Sequence, residues 1–398
     1  MVHVVRAYAH LPVNVAYCLC STYPSKIGRY EKTFDFLGVS FNASTKTGLM
    51  PRLPTAHLIA AAISFVLGGC AERGALEFAM PEPSATTHTI WVANFRSDVQ
   101  ADASGAPPRP LDLSFEAVSV SVPATHAPGK IEWPDGPPDA STDFVTVGQR
   151  QFETMNRFAS DVARSDQSRL NETLVFVHGY NTRHAEAVYQ LAQFVHDFEV
   201  PVPPVLFSWP SAGLTIGYVY DRDSALLARD ELEATLVSLA RNGRKVVLVG
   251  HSMGSYLIME TLRQIALKGS MDIDRDIESI TLMAPAVDGE LFRDQAMTIG
   301  DLPTPFLIMV AEQDGALKIS SLLTGRRPRL GAQTDRSIVG DLPITVVDVS
   351  DLAVGGEFNH KIATTSPSAI AILRGLAQQG PPGTAPVGAL VVLSQLAL

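Results

Sequence analysis

The chain has 398 residues, of which 46% are hydrophobic and 18% are charged. That length accommodates one large domain or two ordinary ones, and the composition supports a sizeable core rather than wholesale disorder. With 41 acidic residues against 31 basic residues, the formal net charge is −10. Such a field repels nucleic acid, and because no cluster of Lys and Arg offsets it locally, we expect no nucleic-acid partner.

The three cysteines, Cys18, Cys20 and Cys70, all lie within the first seventy residues. The rest of the chain therefore cannot build a disulfide framework or a cysteine-based zinc site, and we predict no metal site. No uninterrupted run of 18 or more apolar residues occurs. A membrane-spanning helix is accordingly not expected.

Residues 50–70 resemble a bacterial lipoprotein signal. Arg52 gives a short positive start, and the apolar stretch 58–67 has the length of roughly 7–15 residues that secretory signals use. Two glycines then precede Cys70. The run Leu-Gly-Gly-Cys is similar to the lipobox, in which the cysteine is lipidated and becomes the first mature residue. The alternative interpretation is a buried core helix that contains a small thiol.

The lipoprotein interpretation predicts where the protein is located. Translation would start at Met50, residues 1–49 would be a leader that is not native, and Cys70 would carry the lipid anchor. We then expect the protein in the bacterial cell envelope, with membrane contact through this anchor. If the signal interpretation is wrong, we expect it in the cytoplasm.

Three further segments follow along the chain. Residues 71–87 are polar and contain proline, which is typical of a tether, and residues 88–378 carry the regular strand and helix patterns of one domain. Residues 379–398 form a tail that is rich in Pro and Gly and has a short apolar end.

The first elements of this domain read mainly as strands. Residues 88–96 have strand character, and residues 113–134 predict strand, turn and strand, with prolines and a glycine as punctuation. Residues 144–164 predict a strand that leads into an amphipathic helix.

The remaining domain alternates apolar strands with helices. Its strands are rich in Val, Leu and Ile without polar alternation, which is typical of a parallel sheet covered by helices on both faces. The predicted strands are TLVFVHG, PPVLFSWP, KVVLVGHS, ESITLMAP, TPFLIMVAEQD and PITVVDVSD. The intervening helical patterns include RHAEAVYQLAQFVHDF and DSALLARDELEATLVSLARNG. We therefore predict an α/β fold.

A candidate nucleophile lies at the end of one of these strands. The run Gly250-His251-Ser252-Met253-Gly254 is a G-x-S-x-G motif, and a buried strand leads into it while a helix leads out. That context fits a nucleophile elbow, in which a strained turn lifts the serine oxygen out of the sheet and bulkier residues at either glycine would clash. The alternative is a serine that merely caps an ordinary helix.

A second motif supports the first. The strand TLVFV ends in His178-Gly179-Tyr180-Asn181, where a loop N–H can complete an oxyanion hole beside the elbow. We assign the two oxyanion donors to the backbone N–H groups of Tyr180 and Met253. His178 precedes Ser252 in the chain, and we interpret it as a structural histidine that braces the loop.

At these motifs a family resemblance becomes specific. The segments LVFVHGYNT, PVLFSWPSAG, YDRDSALLARD, GHSMGSYLIMETLR, LMAPAVDGELF and QDGALKISSLLTGRRPRLG are similar to the bacterial α/β-hydrolases of domain-of-unknown-function family 900. The similarity spans roughly residues 88–375. It implies an α/β-hydrolase fold, with a mostly parallel central sheet flanked by helices, and a serine ester hydrolase activity.

The base and the acid follow from chain order. In α/β-hydrolases the serine is followed by the acid and then by the histidine, and His360 is the only histidine after Ser252. Asp314 follows the strand whose end usually bears the carboxylate, and it matches the Asp-x-Ala-Leu pattern of the family. Asp288, at the end of LMAPAVD, is the alternative acid. The aspartate that is not used would be a turn or capping residue.

Two other features have no assigned catalytic role. The acidic residues of YDRDSALLARDELEA are expected on a solvated helix face rather than in a metal cluster. Trp209 and Tyr218 either line the substrate pocket or pack in the core.

Together these residues predict a serine hydrolase that acts on a small-molecule or lipid carboxylic ester without a cofactor. Ser252, His360 and Asp314 would form the triad. A thioesterase, an amidase or an acyltransferase could use the same triad. The alternative from another class is a non-catalytic scaffold that binds a ligand of the cell envelope.

Overall fold

A computed structural model describes residues 34–36, 39–41, 75–96, 112–166, 168, 170–312, 314–325, 327–333, 336–352, 360 and 362–371. The chain divides into two units, Met1–Gly69 and Cys70–Leu398. In the first unit, strands β1 (Phe34–Phe36) and β2 (Val39–Phe41) form an antiparallel pair. The predicted signal segment 50–70 with Cys70, and the predicted tail 379–398, lie outside the described residues.

The second unit contains nine strands among its described residues, with helices between and after them. The strands are β3 (Thr86–Asn94), β4 (Ser114–Val122), β5 (Val145–Phe152), β6 (Glu172–Val177), β7 (Pro204–Ser208), β8 (Lys245–His251), β9 (Ile277–Met283), β10 (Phe306–Val310) and β11 (Ile344–Asp348). The helices are α1 (Met155–Ser165), α2 (His184–Asp197), α3 (Tyr218–Leu227), α4 (Arg229–Arg241), α5 (Met253–Lys268), α6 (Ile273–Asp276), α7 (Gly289–Ile299), α8 (Gly315–Leu323) and α9 (Ile362–Thr365). Short 3₁₀ helices cover Thr215–Gly217, Leu330–Ala332, Arg336–Ile338 and Ser350–Leu352.

The nine strands form one sheet in the order β11-β10-β9-β8-β6-β7-β3-β4-β5. In this sheet order, every neighbouring pair between β11 and β3 is parallel. The two pairs that involve β4 are antiparallel. After β6 the chain first adds β7 on one side and then returns to place β8 on the other side. Such a reversal of strand order opens a crevice at the carboxyl ends of the central strands.

The core has two layers because helices cover both faces of the sheet. One hydrophobic cluster joins residues of α1, α4, α5 and α7 to one face, and a second joins α2 to the other. Strands β7 and β10 are buried along their whole length. This double cover explains why the strands read as continuous apolar runs, and it confirms the predicted α/β architecture.

Two predictions along the first half differ from the structure. The first strand predicted in 113–134 corresponds to β4, but the second prediction is wrong, because residues 123–134 form no strand and β4 pairs with β3 and β5 instead. The predicted tether is hydrogen-bonded to the domain in its described part: Thr146 N–H donates to Glu77 O (2.7 Å) and Ala79 N–H donates to Thr146 O (3.1 Å). Residues 77–79 therefore belong to the folded unit.

Among the helices that the structure describes, none is both long enough and apolar enough to cross a membrane.

Candidate active site

Four of the sequence-predicted residues follow carboxyl ends of parallel strands. Ser252 comes directly after β8, His178 directly after β6, and Asp314 and His360 come after β10 and β11. Because these strands are parallel, their carboxyl ends lie at one edge of the sheet. The β6–β8 boundary, where the strand order reverses, separates His178 from Ser252.

Ser252 has the backbone of a strained turn. Its φ of 53° and ψ of −115° lie in a region that residues with a side chain rarely adopt. Its N–H donates to Met283 O (2.9 Å), and its carbonyl accepts from Ala286 N (3.1 Å), so neighbouring β9 and the loop that follows it hold the turn. The residue is 2% exposed.

The two glycines of the motif allow this turn by their lack of a side chain. A Cβ atom on Gly254 would lie 2.2 Å from Val177 O, and one on Gly250 would lie 2.9 Å from Ser255 Cα. Val177 O and Ser255 Cα are both backbone atoms, so neither can rotate away. The first turn of α5 therefore packs directly against the end of β6.

His360 is paired with Asp314. His360 Nδ1 lies 2.6 Å from Asp314 Oδ2, and the Asp314 carboxyl is fully buried. A carboxylate in this position fixes the imidazole tautomer that carries its proton on Nδ1. His360 Nε2 is buried and has no hydrogen-bond partner among the described residues. No group of the described residues therefore occupies His360 Nε2, the nitrogen that could accept a proton from a nucleophilic hydroxyl.

Asp288 has a different position. It is the N-cap of α7, and its Oδ1 accepts hydrogen bonds from Glu290 N (3.0 Å) and Leu291 N (3.2 Å). Asp314 likewise caps α8 by accepting from Leu317 N (3.0 Å), but its second oxygen faces His360. Of the two candidate acids, the structure brings only Asp314 to the histidine.

The loop after β6 lies against the elbow. A Cβ atom on Gly179 would be 3.2 Å from Ser252 Cβ and 2.8 Å from His251 Nδ1. The peptide that follows Gly179, whose N–H belongs to Tyr180, is therefore next to the serine. Met253 follows Ser252 directly in the chain and opens α5. One predicted oxyanion donor, Met253, is thus next to the serine in the chain, and the other, Tyr180, is next to it in space.

His178 is a structural residue in this arrangement. Its ring is fully buried and stacks on Trp209, with centroids 4.9 Å apart, and Trp209 Nε1–H donates to His178 O (2.8 Å). Arg96 Nη2 donates to His178 Nε2 (2.8 Å), so the proton lies on Nδ1, which donates to Gly179 O (2.8 Å). Burial and the charge of Arg96 hold the pKa of His178 well below its ordinary value.

Trp209 and Tyr218 pack in the core. Trp209 is fully buried against His178, and the Tyr218 hydroxyl is 2.6 Å from Ser320 Oγ. Of the two interpretations offered for this pair, the structure favours core packing.

His251 is a site residue that the sequence reasoning did not single out. Its Nε2–H donates to His360 O (3.1 Å), and the two rings lie 4.7 Å apart. It therefore links the elbow to the segment that carries His360. Its place in the G-x-S-x-G motif, directly before the serine, was the only available signal.

Asp221 and Arg96 are two further residues that the sequence reasoning missed. Asp221 is fully buried in the first turn of α3, so the prediction that the acidic residues of 220–234 are solvated is wrong for it, and also for the buried Glu233 of α4. The neighbouring Asp223 is exposed. Burial raises the pKa of Asp221, although hydrogen bonds and Arg96 oppose the shift. Burial lowers the pKa of Arg96 to about 10, although Asp221 opposes this. No local sequence pattern marks these two charged residues beside the loop after β6, the buried Asp221 and the half-buried Arg96.

Within the described residues, no group of three or more His, Cys, Asp and Glu side chains is arranged to hold a metal ion.

The family model for alpha/beta hydrolases of unknown function matches residues 151–376. This match and the nine-stranded, mostly parallel sheet confirm the predicted α/β-hydrolase fold. A search of curated proteins finds no match to the sequence.

Solved structures similar to this chain include several esterases. An ester hydrolase from the metagenome of Lake Arreo, in complex with a bipyridine phosphonate derivative, is 11% identical over 87% of this chain and 99% of its own, with a TM-score of 0.34. Esterase B from Lactobacillus rhamnosis, inhibited by a tributyrin phosphonate, is 12% identical over 86% of this chain and 94% of its own, with a TM-score of 0.35. An esterase of Pyrobaculum calidifontis is 12% identical over 57% of this chain and 77% of its own, with a TM-score of 0.30.

Proposed function

The chain belongs to the alpha/beta hydrolases of unknown function, and from this premise we propose that it is a serine hydrolase that cleaves carboxylic esters through an acyl-enzyme on Ser252. The observation that carries the proposal is the His360–Asp314 pair. Its carboxylate is 2.6 Å from Nδ1, and its Nε2 is buried without a partner among the described residues. An imidazole that is oriented at Nδ1 and has a buried, unoccupied Nε2 is suited to general base catalysis.

The reaction begins when Ser252 Oγ attacks the ester carbonyl carbon while its proton moves to His360 Nε2. The carbonyl oxygen becomes an oxyanion, which accepts hydrogen bonds from the N–H groups of Tyr180 and Met253. Asp314 stabilises the imidazolium and keeps its orientation. The intermediate then collapses, and the alcohol leaves with the proton from His360.

The acyl-enzyme is hydrolysed by the same groups in reverse roles. His360 takes a proton from a water molecule, and the resulting nucleophile attacks the acyl carbon. When the second tetrahedral intermediate collapses, Ser252 Oγ leaves and regains its proton from His360, and the carboxylic acid is released. None of these steps uses a cofactor.

The test is hydrolysis of a panel of p-nitrophenyl esters from acetate to palmitate. We expect the wild-type protein to turn over at least one member, and Ser252→Ala to lower kcat by at least roughly 10³-fold, because nucleophile and base act as one unit. Ser238→Ala, in the outer helix α4, is the matched control and should retain wild-type activity. Equal activity in Ser252→Ala and the wild type would refute the proposal.

Matched thioester and anilide substrates of the best acyl group distinguish the related activities. The proposal predicts a higher kcat/KM for the ester than for either analogue. A non-catalytic scaffold would hydrolyse none of the three.

A further inference from the structure

The loop that carries Tyr180 is held by two charged side chains, the fully buried Asp221 and the half-buried Arg96. Asp221 Oδ2 accepts from Asn181 N (2.9 Å) and from Ser211 Oγ (2.6 Å), while Oδ1 accepts from Ala212 N (2.6 Å). One carboxylate thus joins the residue after Tyr180 to the turn that follows β7. All of these bonds are made by a side chain with no exposure to solvent.

Arg96 holds the same loop from its other side. Its Nη2 donates to His178 Nε2 (2.8 Å) and to Thr182 O (2.8 Å), and its Nε donates to Ser208 Oγ (2.7 Å). Its Nη1 donates to Ser211 O (3.2 Å). The planar guanidinium therefore fixes the residues two before and two after Tyr180 with one rigid fork.

Ser211 connects the two charged groups. Its hydroxyl donates to Asp221 and accepts from Thr182 N (3.1 Å). With this bond, the backbone of the loop is tied at residues 181 and 182. Tyr180 lies between these tied residues and Gly179, which is itself next to Ser252.

One residue of this loop has a left-handed backbone. Asn181 has a φ of 54°, in a region that asparagine adopts more readily than most other residues with a side chain. The N–H that Asp221 accepts is the one on this residue. Without the carboxylate, the peptide between Tyr180 and Asn181 can rotate towards an ordinary conformation.

We propose that Asp221 and Arg96 are positioning residues, whose hydrogen bonds to the loop after β6 fix the Tyr180 N–H in the orientation that stabilises the oxyanion. This inference rests on the proposed function. Both side chains act through the loop backbone, so they affect the transition state, where the oxyanion exists, more than the bound ester.

The proposal makes a kinetic prediction for Asp221→Asn. The amide has one acceptor oxygen, so at least one of the donors on Asn181, Ser211 and Ala212 faces an NH₂ group instead. We expect kcat to fall about 10- to 100-fold, as on partial loss of an oxyanion donor, with KM changed by less than roughly threefold. Arg96→Lys, which keeps the charge but loses the fork, should act in the same direction.

The closing experiment measures kcat, KM and the inhibition constant of a trifluoromethyl ketone, which forms a reversible oxyanion adduct with a serine nucleophile. The inhibition constant should rise in Asp221→Asn by the same factor by which kcat falls. Asp223→Asn, an exposed aspartate on the same helix, is the matched control and should leave all three quantities unchanged. Far-UV circular dichroism and melting temperature check that each variant is folded.

Each outcome of this experiment is decisive. A folded Asp221→Asn with unchanged kcat and inhibition constant, in a background where the wild type shows Ser252-dependent hydrolysis, would overturn the positioning role alone. If the wild type lacks such hydrolysis, the proposed function fails and the inference falls with it. If Asp221→Asn does not fold, Ser211→Ala decides: kcat should fall roughly 3- to 10-fold at constant KM, and an unchanged kcat would overturn the inference.

Discussion

At the scale of single residues, Asp314 combines two interactions that no exposed carboxylate could maintain as rigidly. One oxygen caps α8 through Leu317 N, and the other accepts from His360. The cap fixes the carboxylate at the start of a helix, and the carboxylate in turn fixes the imidazole. The orientation of His360 therefore depends on the placement of α8.

The two candidate acids can be distinguished by matched substitutions. Asp314→Asn keeps an oxygen for the α8 cap but removes the negative charge beside His360, so we expect kcat to fall about 10³- to 10⁴-fold with little loss of stability. Asp288→Asn also keeps a capping oxygen and does not touch His360, so activity should stay near the wild-type level. The reverse ranking, with both variants folded, would transfer the acid role to Asp288.

Residue identities at the site were predictable from the sequence where chain order and strand ends specify them. Ser252, Asp314 and His360 each follow a strand, and His360 is the only histidine that comes late enough in the chain. Asp221 and Arg96 were not predictable, because their partners lie up to 115 residues away and no local pattern marks them. Their role depends on tertiary contacts that form only when α3 and the end of β3 reach the same loop.

At the scale of elements, the critical contact is the approach of α5 to β6. The first turn of the helix lies so close to the end of the strand that Gly254 leaves no space for a methyl group beside Val177 O. This contact brings the N-terminus of α5 next to the loop after β6. The elbow and the loop after β6 are thus parts of one packed junction.

Gly254→Ala tests this junction. The added Cβ would lie 2.2 Å from Val177 O, so the helix and strand must separate. We expect a loss of roughly 1–3 kcal/mol in the free energy of unfolding and a larger relative loss of kcat, because the elbow moves with α5. Urea unfolding and ester turnover measure the two effects.

Gly269→Ala, at the other end of the same helix, is the control for helix effects. Its φ of 63° makes the substitution strained, but a Cβ there meets open space and lies far along the chain from Ser252. It should reduce stability without a specific loss of kcat. Wild-type activity and stability in Gly254→Ala would contradict the packed junction.

The parallel strands could be predicted because burial on both faces leaves continuous apolar runs. The antiparallel edge was harder, since β4 pairs with β5 across a connection of more than twenty residues that contains no strand. The second strand expected within 113–134 fails because that segment folds into polar contacts instead. His126 in this segment bonds to both Glu132 and Asp197.

At the scale of the whole molecule, these contacts join three distant segments of the second unit. His126 Nδ1 is 2.8 Å from Glu132 and its Nε2 is 2.9 Å from Asp197, so both nitrogens donate only if the ring is protonated. Gln193, on α2 with Asp197, donates to Thr364 O (3.0 Å), four residues after His360. This network therefore links residues 126–132 and α2 to the segment that follows the candidate base.

The network predicts a pH dependence of stability. Burial lowers the pKa of His126, but its hydrogen bonds to Asp197 and Glu132 outweigh burial and raise the pKa above the ordinary value of 6.5. A raised folded pKa means that the contribution is complete below pH 6.5 and is lost as the pH rises through the folded value. The difference in unfolding free energy between the wild type and His126→Gln should thus be larger at pH 7 than at pH 9.

His88→Gln is the matched control for this measurement by urea unfolding. Burial and the neighbouring His196 lower the pKa of His88 to about 4, so the ring is neutral throughout this range. The difference between the wild type and His88→Gln should not change between pH 7 and pH 9. A pH-independent difference for His126→Gln would contradict the charged network.

We also propose that the protein is anchored in the bacterial cell envelope through Cys70. The proposal is supported by the basic start, the apolar stretch and the Leu-Gly-Gly-Cys run within residues 50–70. A form that begins at Met50 should be exported, cleaved before Cys70 and acylated on that cysteine, and several acyl chains anchor stably where one alone is marginal.

Palmitate labelling and cell fractionation in a bacterium test this anchoring, with Cys70→Ala as the unlabelled control. A form that starts at Ala71 contains every proposed catalytic residue and should be active without the anchor. An unlabelled cytosolic product that retains residues 50–69 would mean that Cys70 is an ordinary thiol.

The central claim is that Ser252 is a nucleophile activated by His360. The most direct measurement is intact-protein mass spectrometry after reaction with a fluorophosphonate, followed by peptide mapping. We predict one phosphonyl adduct on Ser252 in the wild type, none in Ser252→Ala, and slower adduct formation in His360→Ala, because the hydroxyl then lacks its base. A wild-type protein that stays unmodified, or a Ser252→Ala variant that is labelled equally, would contradict the claim.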